Sequence, residues 1–336
     1  MKQISTPTQS SRIIYLDILR ILATLAVIAL HVYATQYKTA FGNRIWYYAL
    51  VGNSLVRWAV PMFVMISGAL FLRPDFVVSY ATILKKYIPR LAIAYIFWLC
   101  AYHLCTLAIV PPPIPTPCYH LWFLPLLVGI YLLIPVLKEI ANNQKLLQNI
   151  LIIWFLLYSV GHFFNLDTIP QVGTLFKRTG VIGYSGYFLL GYYLSTLNPS
   201  KKQRTIIYAL GIIGALFGIL ANAYISFKNG RGDVSIMDDN LVPHVVAMSA
   251  AIFIAIKTYE PKFNNATAKF CTYVRKDLFG IYLSHVIWLM VLNTPTFRNA
   301  TSQLITLPII TVVVFILSLY TTKLLRQIPL LRKVVE

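Results

Sequence analysis

The chain has 336 residues, of which 58% are hydrophobic and 12% charged, and its mean hydropathy is +0.69. A soluble domain carries about 25% charged residues, so this composition excludes a water-covered globule. The formal charge of +19 would suit nucleic acid, but no basic stripe interleaves with exposed aromatics. The cations are expected instead to hold loops in the cytoplasm and to meet the headgroups of membrane lipids.

Runs of about 17–25 apolar residues cross a bilayer. Taken along the chain, ten such runs are predicted as transmembrane helices: 13–34, 51–72, 87–110, 119–137, 149–165, 180–196, 206–226, 242–257, 278–293 and 303–324. The connections are short, and the longest, 258–277, is polar. Pro111-Pro112-Pro113 reads as a loop stiffener, and Gly214 with Gly218 as a small-xxx-small packing pair. With the N-terminus inside, alternation puts twenty Lys and Arg on the inner side and seven on the outer, with Arg20 and Arg57 inside spans. That bias predicts both termini in the cytoplasm. The expected fold class is an all-α polytopic membrane protein of about ten helices, with residues 1–336 as one domain. One competing reading takes Arg20, the apolar run 21–30 and Val32-Tyr33-Ala34 as a cleaved signal peptide, although the chain that follows needs no leader to enter the membrane.

Chemistry in such a chain falls to a short inventory, because ionisable groups in a bilayer are costly. Cys100, Cys105, Cys118 and Cys271 form no C-x-x-C pair and no zinc spacing with His, so no metal or disulfide framework is expected. No P-loop, nucleophile elbow, H-E-x-x-H or dinucleotide fingerprint occurs. No Asp or Glu lies deep in a predicted span, and Asp17, one turn in from the inner edge of the first, is the nearest. General-base candidates are therefore histidines, the side chains matched to proton transfer near neutral pH. His31 follows Arg20 by eleven residues on one helix, a rise of about 16 Å that returns to nearly the same face. Asp17 lies within ion-pair reach of Arg20. Either Arg20 meets an anion entering from the cytoplasm and His31 meets its reactive end, or Arg20 snorkels to headgroups and His31 is interfacial. Lys85, Lys86 and Arg90 at the start of the third span either grip phosphate or anchor the loop inside. His120 and His285 sit in the fourth and ninth spans, where each alone also suits helix packing. His103, His162 and His244 carry no usable signal.

Several segments together resemble the acyltransferase 3 family of bacterial membrane O-acyltransferases. Tyr15-Leu16-Asp17-Ile18-Leu19-Arg20 leading to His31 is similar to its first-helix pattern of Arg and His separated by ten residues. Val60 to Gly68, Lys86 to Arg90, His120 to Phe123 with Tyr131-Leu132 and Pro135, Gly186 to Gly191, and Gly280 to His285 are similar to later segments in the same order. Size and the lack of an appended domain look most like the short members that O-acetylate cell-envelope saccharides, such as the enterobacterial common antigen enzyme.

The resemblance implies an enzyme of the inner membrane with no bound cofactor. It would move an acyl group, usually acetyl from the cosubstrate acetyl-CoA, to a hydroxyl of a saccharide or lipid-linked saccharide. It implies roles for His31 as catalytic residue and for Arg20, Asp17, Lys86, Arg90, His120 and His285 in substrate binding. Members often carry several Arg before helix three, where this chain has Lys85, Lys86 and Arg90. Whether His31 acts as base or as acylated nucleophile stays open. The alternative function is a multi-span exporter of a saccharide or lipid-linked intermediate, against which the absence of an inverted repeat argues.

Overall fold

The computed structural model describes residues 13–76, 79–109, 119–164, 180–232, 239–292 and 303–336. The Pro111-Pro112-Pro113 loop, Cys118 and the cations Lys2, Arg12, Lys177, Arg178 and Arg298 lie outside the described residues. Every secondary-structure element among the described residues is helical. In chain order the helices are α1 (Ile14–Thr39), α2 (Arg44–Leu55), α3 (Ala59–Phe71) and α4 (Ile88–Ile109). A π-type turn, Ile83–Tyr87, leads into α4. Then follow α5 (Phe123–Leu132), α6 (Ile134–Asn142), α7 (Gln144–Trp154), α8 (Gly180–Thr196), α9 (Lys201–Asn229) and α10 (Pro243–Tyr259). The chain closes with α11 (Asn265–Val274), α12 (Leu278–Leu292), α13 (Gln303–Gln327) and the one-turn α14 (Pro329–Arg332).

Each of the ten predicted apolar runs overlaps helical residues, the fifth continuing past α7 through the π-type stretch Phe155–Val160 to Phe163, while residues 110, 165 and 293 lie outside the described residues. Among the described residues six stretches are long and apolar enough to cross a membrane: Ile14–Lys38, Arg44–Phe71, Tyr80–Thr106, Gln144–Phe163, Lys201–Asn229 and Ile305–Gln327. A seventh, Tyr119–Leu132 with Ile134–Asn142, is bent by 58° at Leu133, two residues before Pro135, whose missing N–H removes a rung of the helical ladder. α10 and α12 are apolar but shorter, and α8 has 17 residues. The polar connection 258–277 is not a simple loop. It contains α11, capped by the Asn264 side chain, which accepts from Thr267 N–H at 2.9 Å.

The packing has the inverted character expected in lipid. α9 buries Gly211, Gly214, Gly218, Asn222 and Ser226, while Ile212 and Leu220 on its other side are 63% and 68% exposed. Small residues let helix backbones approach, and buried polar groups bond across the interface. Asn222 donates to Ser54 Oγ at 3.3 Å, and the Tyr37 and Ser226 hydroxyls meet at 2.9 Å. The expected role of Gly214 and Gly218 holds, since a Cβ at either would lie within 3.0 Å of His244 on α10. The tightest approach joins α3 and α8. A Cβ on Gly68 would sit 1.8 Å from the Phe188 carbonyl oxygen, and one on Gly191 would sit 2.0 Å from that of Met65. Lys257 at the end of α10 donates to the last carbonyls of α8, Leu194, Ser195 and Leu197, at 2.6–3.1 Å.

The end of α13 and the final turn are tied by charge. Asp277, fully buried before α12, meets Arg326 at 2.5 Å and Lys323 at 3.4 Å. Glu336 meets Arg326 at 2.8 Å and Arg332 at 2.7 Å. Val334 and Val335 are buried, and the Val334 carbonyl accepts from Trp98 Nε1 on α4 at 3.0 Å. These bonds set α4, α12 and α13 side by side, and that arrangement brings together the groups described next.

Candidate active site

Helix α1 runs unbroken through Arg20 and His31, so the two groups share one rod as the spacing predicts. Asp17 is buried, and its Oδ1 lies 3.3 Å from Arg20 Nη1, which is the expected i,i+3 pair. At the other end of this rod the structure does what spacing alone could not. His31, His120 in the 3₁₀ turn Tyr119–Trp122, and His285 in α12 converge. The His31 and His285 rings stack with centroids 5.3 Å apart and planes 18° apart. His120 meets His285 edge to face at 5.1 Å. Tyr119 stands edge-on to His31 at 4.9 Å. Among the described residues, no group of His, Cys, Asp and Glu side chains is arranged to hold a metal.

Hydrogen bonds orient these rings. Nδ1 of His285 lies 2.6 Å from the Tyr282 carbonyl oxygen, one helical turn back. A carbonyl only accepts, so in the neutral ring Nδ1 carries the proton and Nε2 keeps its lone pair. His120 has the opposite assignment. Its Nε2 faces the Leu283 carbonyl at 3.4 Å, leaving Nδ1 as the acceptor. His285 Nε2 and His120 Nδ1 are both buried, and neither has a hydrogen-bond partner among the described residues. Tyr102 on α4 donates to the Leu283 carbonyl at 2.7 Å, and Tyr282 donates to the His120 carbonyl at 2.6 Å. The site therefore presents two buried imidazole nitrogens able to accept a proton and a third imidazole, His31, stacked on the His285 ring.

A cavity of about 200 Å³ lies beside Arg20, and the Tyr282 ring stands between it and this cluster. Its lining includes Arg20, Ser67, Arg275 and the aromatic rings of Phe63, Phe123, Phe279 and Tyr282. Tyr282 walls both regions, with its ring 5.8–5.9 Å from those of His120 and His285 and 5.7–6.0 Å from Phe123 and Phe63. Arg90 reaches the same place, its guanidinium 5.6 Å from the Phe279 ring centre. Lys85 and Lys86 stand exposed on the π-type turn, and no hydrogen bond or ion pair among the described residues reaches Lys86.

Of the residues marked in the sequence, His31, His120 and His285 meet as a cluster. Arg20, paired with Asp17, lines the cavity beyond Tyr282, Arg90 stands against its Phe279 ring, and Lys86 joins neither group. Sequence reasoning missed Arg275, which it counted among loop cations, and Tyr102 and Tyr282, two of many tyrosines in the chain. Only the tyrosines at a spacing of one turn from a marked histidine, such as Tyr282 before His285, offered a signal. The family-like segments Val60–Gly68 and Gly186–Gly191 serve packing, since Gly68 and Gly191 are the points where α3 and α8 touch.

No curated protein and no solved structure matches the chain significantly. A family model, described as an acyltransferase domain, matches residues 13–323, nearly the whole chain. A histidine cluster separated by Tyr282 from a cavity with two arginines in its lining suits the transfer of an acyl group, and the chain belongs to the acyltransferase 3 family of membrane acyltransferases.

Proposed function

We propose that the protein transfers an acyl group, acetyl above all, from acyl-CoA on the cytoplasmic side to a hydroxyl of a cell-envelope saccharide or lipid-linked saccharide in the inner membrane. The observation that carries this reading is the meeting of His31, His120 and His285 beside Tyr282, whose ring also walls a cavity lined by Arg20 and Arg275, with Arg90 against the cavity's Phe279. The positive-inside bias puts the arginine end in the cytoplasm, where nucleotide phosphates are available. Ten crossings, with α8, α10 and α12 as short spans, fit that arrangement. The rise of about 16 Å from Arg20 to His31 is of the order of a pantetheine arm, and the rings of Phe63, Phe123 and Tyr282 give that arm an apolar, water-poor lining.

In the direct reaction a histidine nitrogen takes the proton of the acceptor hydroxyl as its oxygen attacks the thioester carbon. The carbon–sulfur bond breaks, the ester forms, and the departing CoA sulfur takes up a proton from the imidazolium, which restores the neutral ring. In the two-step variant the imidazole nitrogen attacks the thioester carbon, the carbon–sulfur bond breaks and the CoA sulfur leaves with the imidazole's proton; the acceptor oxygen then attacks the acyl-imidazole, the carbon–nitrogen bond breaks, and the hydroxyl proton returns to the ring.

Membranes incubated with labelled acetyl-CoA provide the test. Label should pass to saccharide with the wild-type protein and not with His31→Gln. Equal labelling by both would remove His31 from the reaction. Absence of saccharide labelling beside labelling of another hydroxyl compound would overturn the acceptor class. Acid-quenched protein carrying label in the absence of acceptor would select the two-step variant.

A further inference from the structure

Two guanidinium groups line one small cavity. Arg20 enters from the second turn of α1, and Arg275 from the turn between α11 and α12. Like charges facing one space of about 200 Å³ repel each other. Asp17 takes Arg20 Nη1 at 3.3 Å, long for a charged pair. Arg275 has no carboxylate partner among the described residues. The cavity is thus built with an excess of positive charge, and Ser67 is a further polar side chain in its lining. Such an arrangement is stabilised by an anion with several oxygens between the two planes, each able to take paired N–H donors.

Resting on the acyl-CoA reading above, we infer that Arg20 and Arg275 together form the subsite for the pyrophosphate of the donor, and that Arg90 outside them takes its 3′-phosphate. The order follows from chain direction. Arg20 is on the rod that ends at His31, and the group at the head of the pantetheine arm is the pyrophosphate. Arg90 stands beyond the Phe279 ring and is exposed, next to the exposed Lys85 and Lys86. Arg275 thereby supplies a guanidinium that the short basic lead-in to α4 lacks.

Binding of CoA and of dephospho-CoA, which lacks only the 3′-phosphate, separates the subsites. The measurement is equilibrium binding to the purified full chain in detergent. Arg275→Ala should weaken both ligands by the same factor, on the order of tenfold to a hundredfold for one lost charge-assisted contact, and Arg275→Lys should recover part of it. Arg90→Ala should weaken CoA alone and erase its advantage over dephospho-CoA. Arg275 is exposed in a turn, so the melting temperature of Arg275→Ala should match the wild type and exclude a folding defect. Unchanged binding of both ligands by Arg275→Ala overturns the inference, and so does a loss confined to CoA. If phosphatidylglycerol in mixed micelles loses affinity on Arg275→Ala while CoA does not, the pair is a headgroup site and the inference is wrong. If the wild type binds neither nucleotide, the acyl-CoA reading itself has failed and the inference falls with it.

Discussion

At His31 the sequence offered a face shared with Arg20, and the structure adds a stacked neighbour, His285, 5.3 Å away. Glutamine keeps much of the size and hydrogen bonding of imidazole but takes no proton near neutrality. His31→Gln should therefore lower acyl transfer by about 10²- to 10⁴-fold with membrane insertion intact, as read by labelled transfer normalised to protein level. Arg90→Ala removes a contact far from the reacting carbon and should raise KM for acyl-CoA more than it lowers kcat, measured by initial rates across donor concentrations. These residues were legible one at a time, because helical spacing places Arg20 and His31 on one face. Their convergence was not, since the His120 and His285 contact joins positions far apart in the chain and no periodicity encodes it. Arg275 was hidden for the same reason, as a cation in a polar connection looks the same whether it faces water or a cavity.

Helix α3 meets α8 backbone to backbone, and this contact is the least tolerant in the fold. At Gly68 an added methyl would sit 1.8 Å from the Phe188 carbonyl oxygen, an atom that cannot rotate away. Gly68→Ala should cost about 1–3 kcal/mol or more through overpacking, read as a lower melting temperature in detergent. Gly180→Ala is the matched control, since its Cβ would lie 3.8 Å from Leu126 Cδ1, an ordinary contact. At the far end of the chain, burial alone would raise the Glu336 carboxyl, but hydrogen bonds from Arg332 and Arg326 hold it below its usual range. Its tether is present above the ordinary carboxylate range and is lost as pH falls through the depressed value. Glu336→Gln should free the final turn at neutral pH, seen as faster proteolysis near Arg332. The long apolar helices were legible because hydropathy reports them directly. Helix α11 was not, since ten half-polar residues in a charged connection look like loop.

For the whole molecule, the open quantity is how many times the chain crosses. Among the described residues six helices are long and apolar enough by themselves, and the bent pair around Leu133 makes a seventh. The basic asymmetry predicts an even count with both ends inside. A reporter fused at Glu336 and one inserted in 258–277 should both report cytoplasm, and an external signal at Glu336 would break the ten-span topology. Short helices such as α12 escape a length criterion because, packed within the bundle, they need not present a full bilayer thickness to lipid. α12 has His285 and Ser284 fully buried on it, so its surroundings are protein and not hydrocarbon.

Tyr282 has a role that concerns time as well as place. Its ring forms part of the cavity wall, and its hydroxyl holds the His120 carbonyl at 2.6 Å. Whatever fills the cavity presses on the same side chain that fixes the His120 turn, so occupancy and alignment share one lever. On the acyl-CoA reading proposed above, the expected kinetic consequence is a fixed sequence of arrivals, with the thioester first and the hydroxyl compound second. Product-inhibition patterns should show free CoA competing with the donor and the esterified product not doing so. Tyr282→Phe, which keeps the ring and cuts the tie, should leave donor KM nearly unchanged, lower kcat, and turn that fixed sequence into a random one.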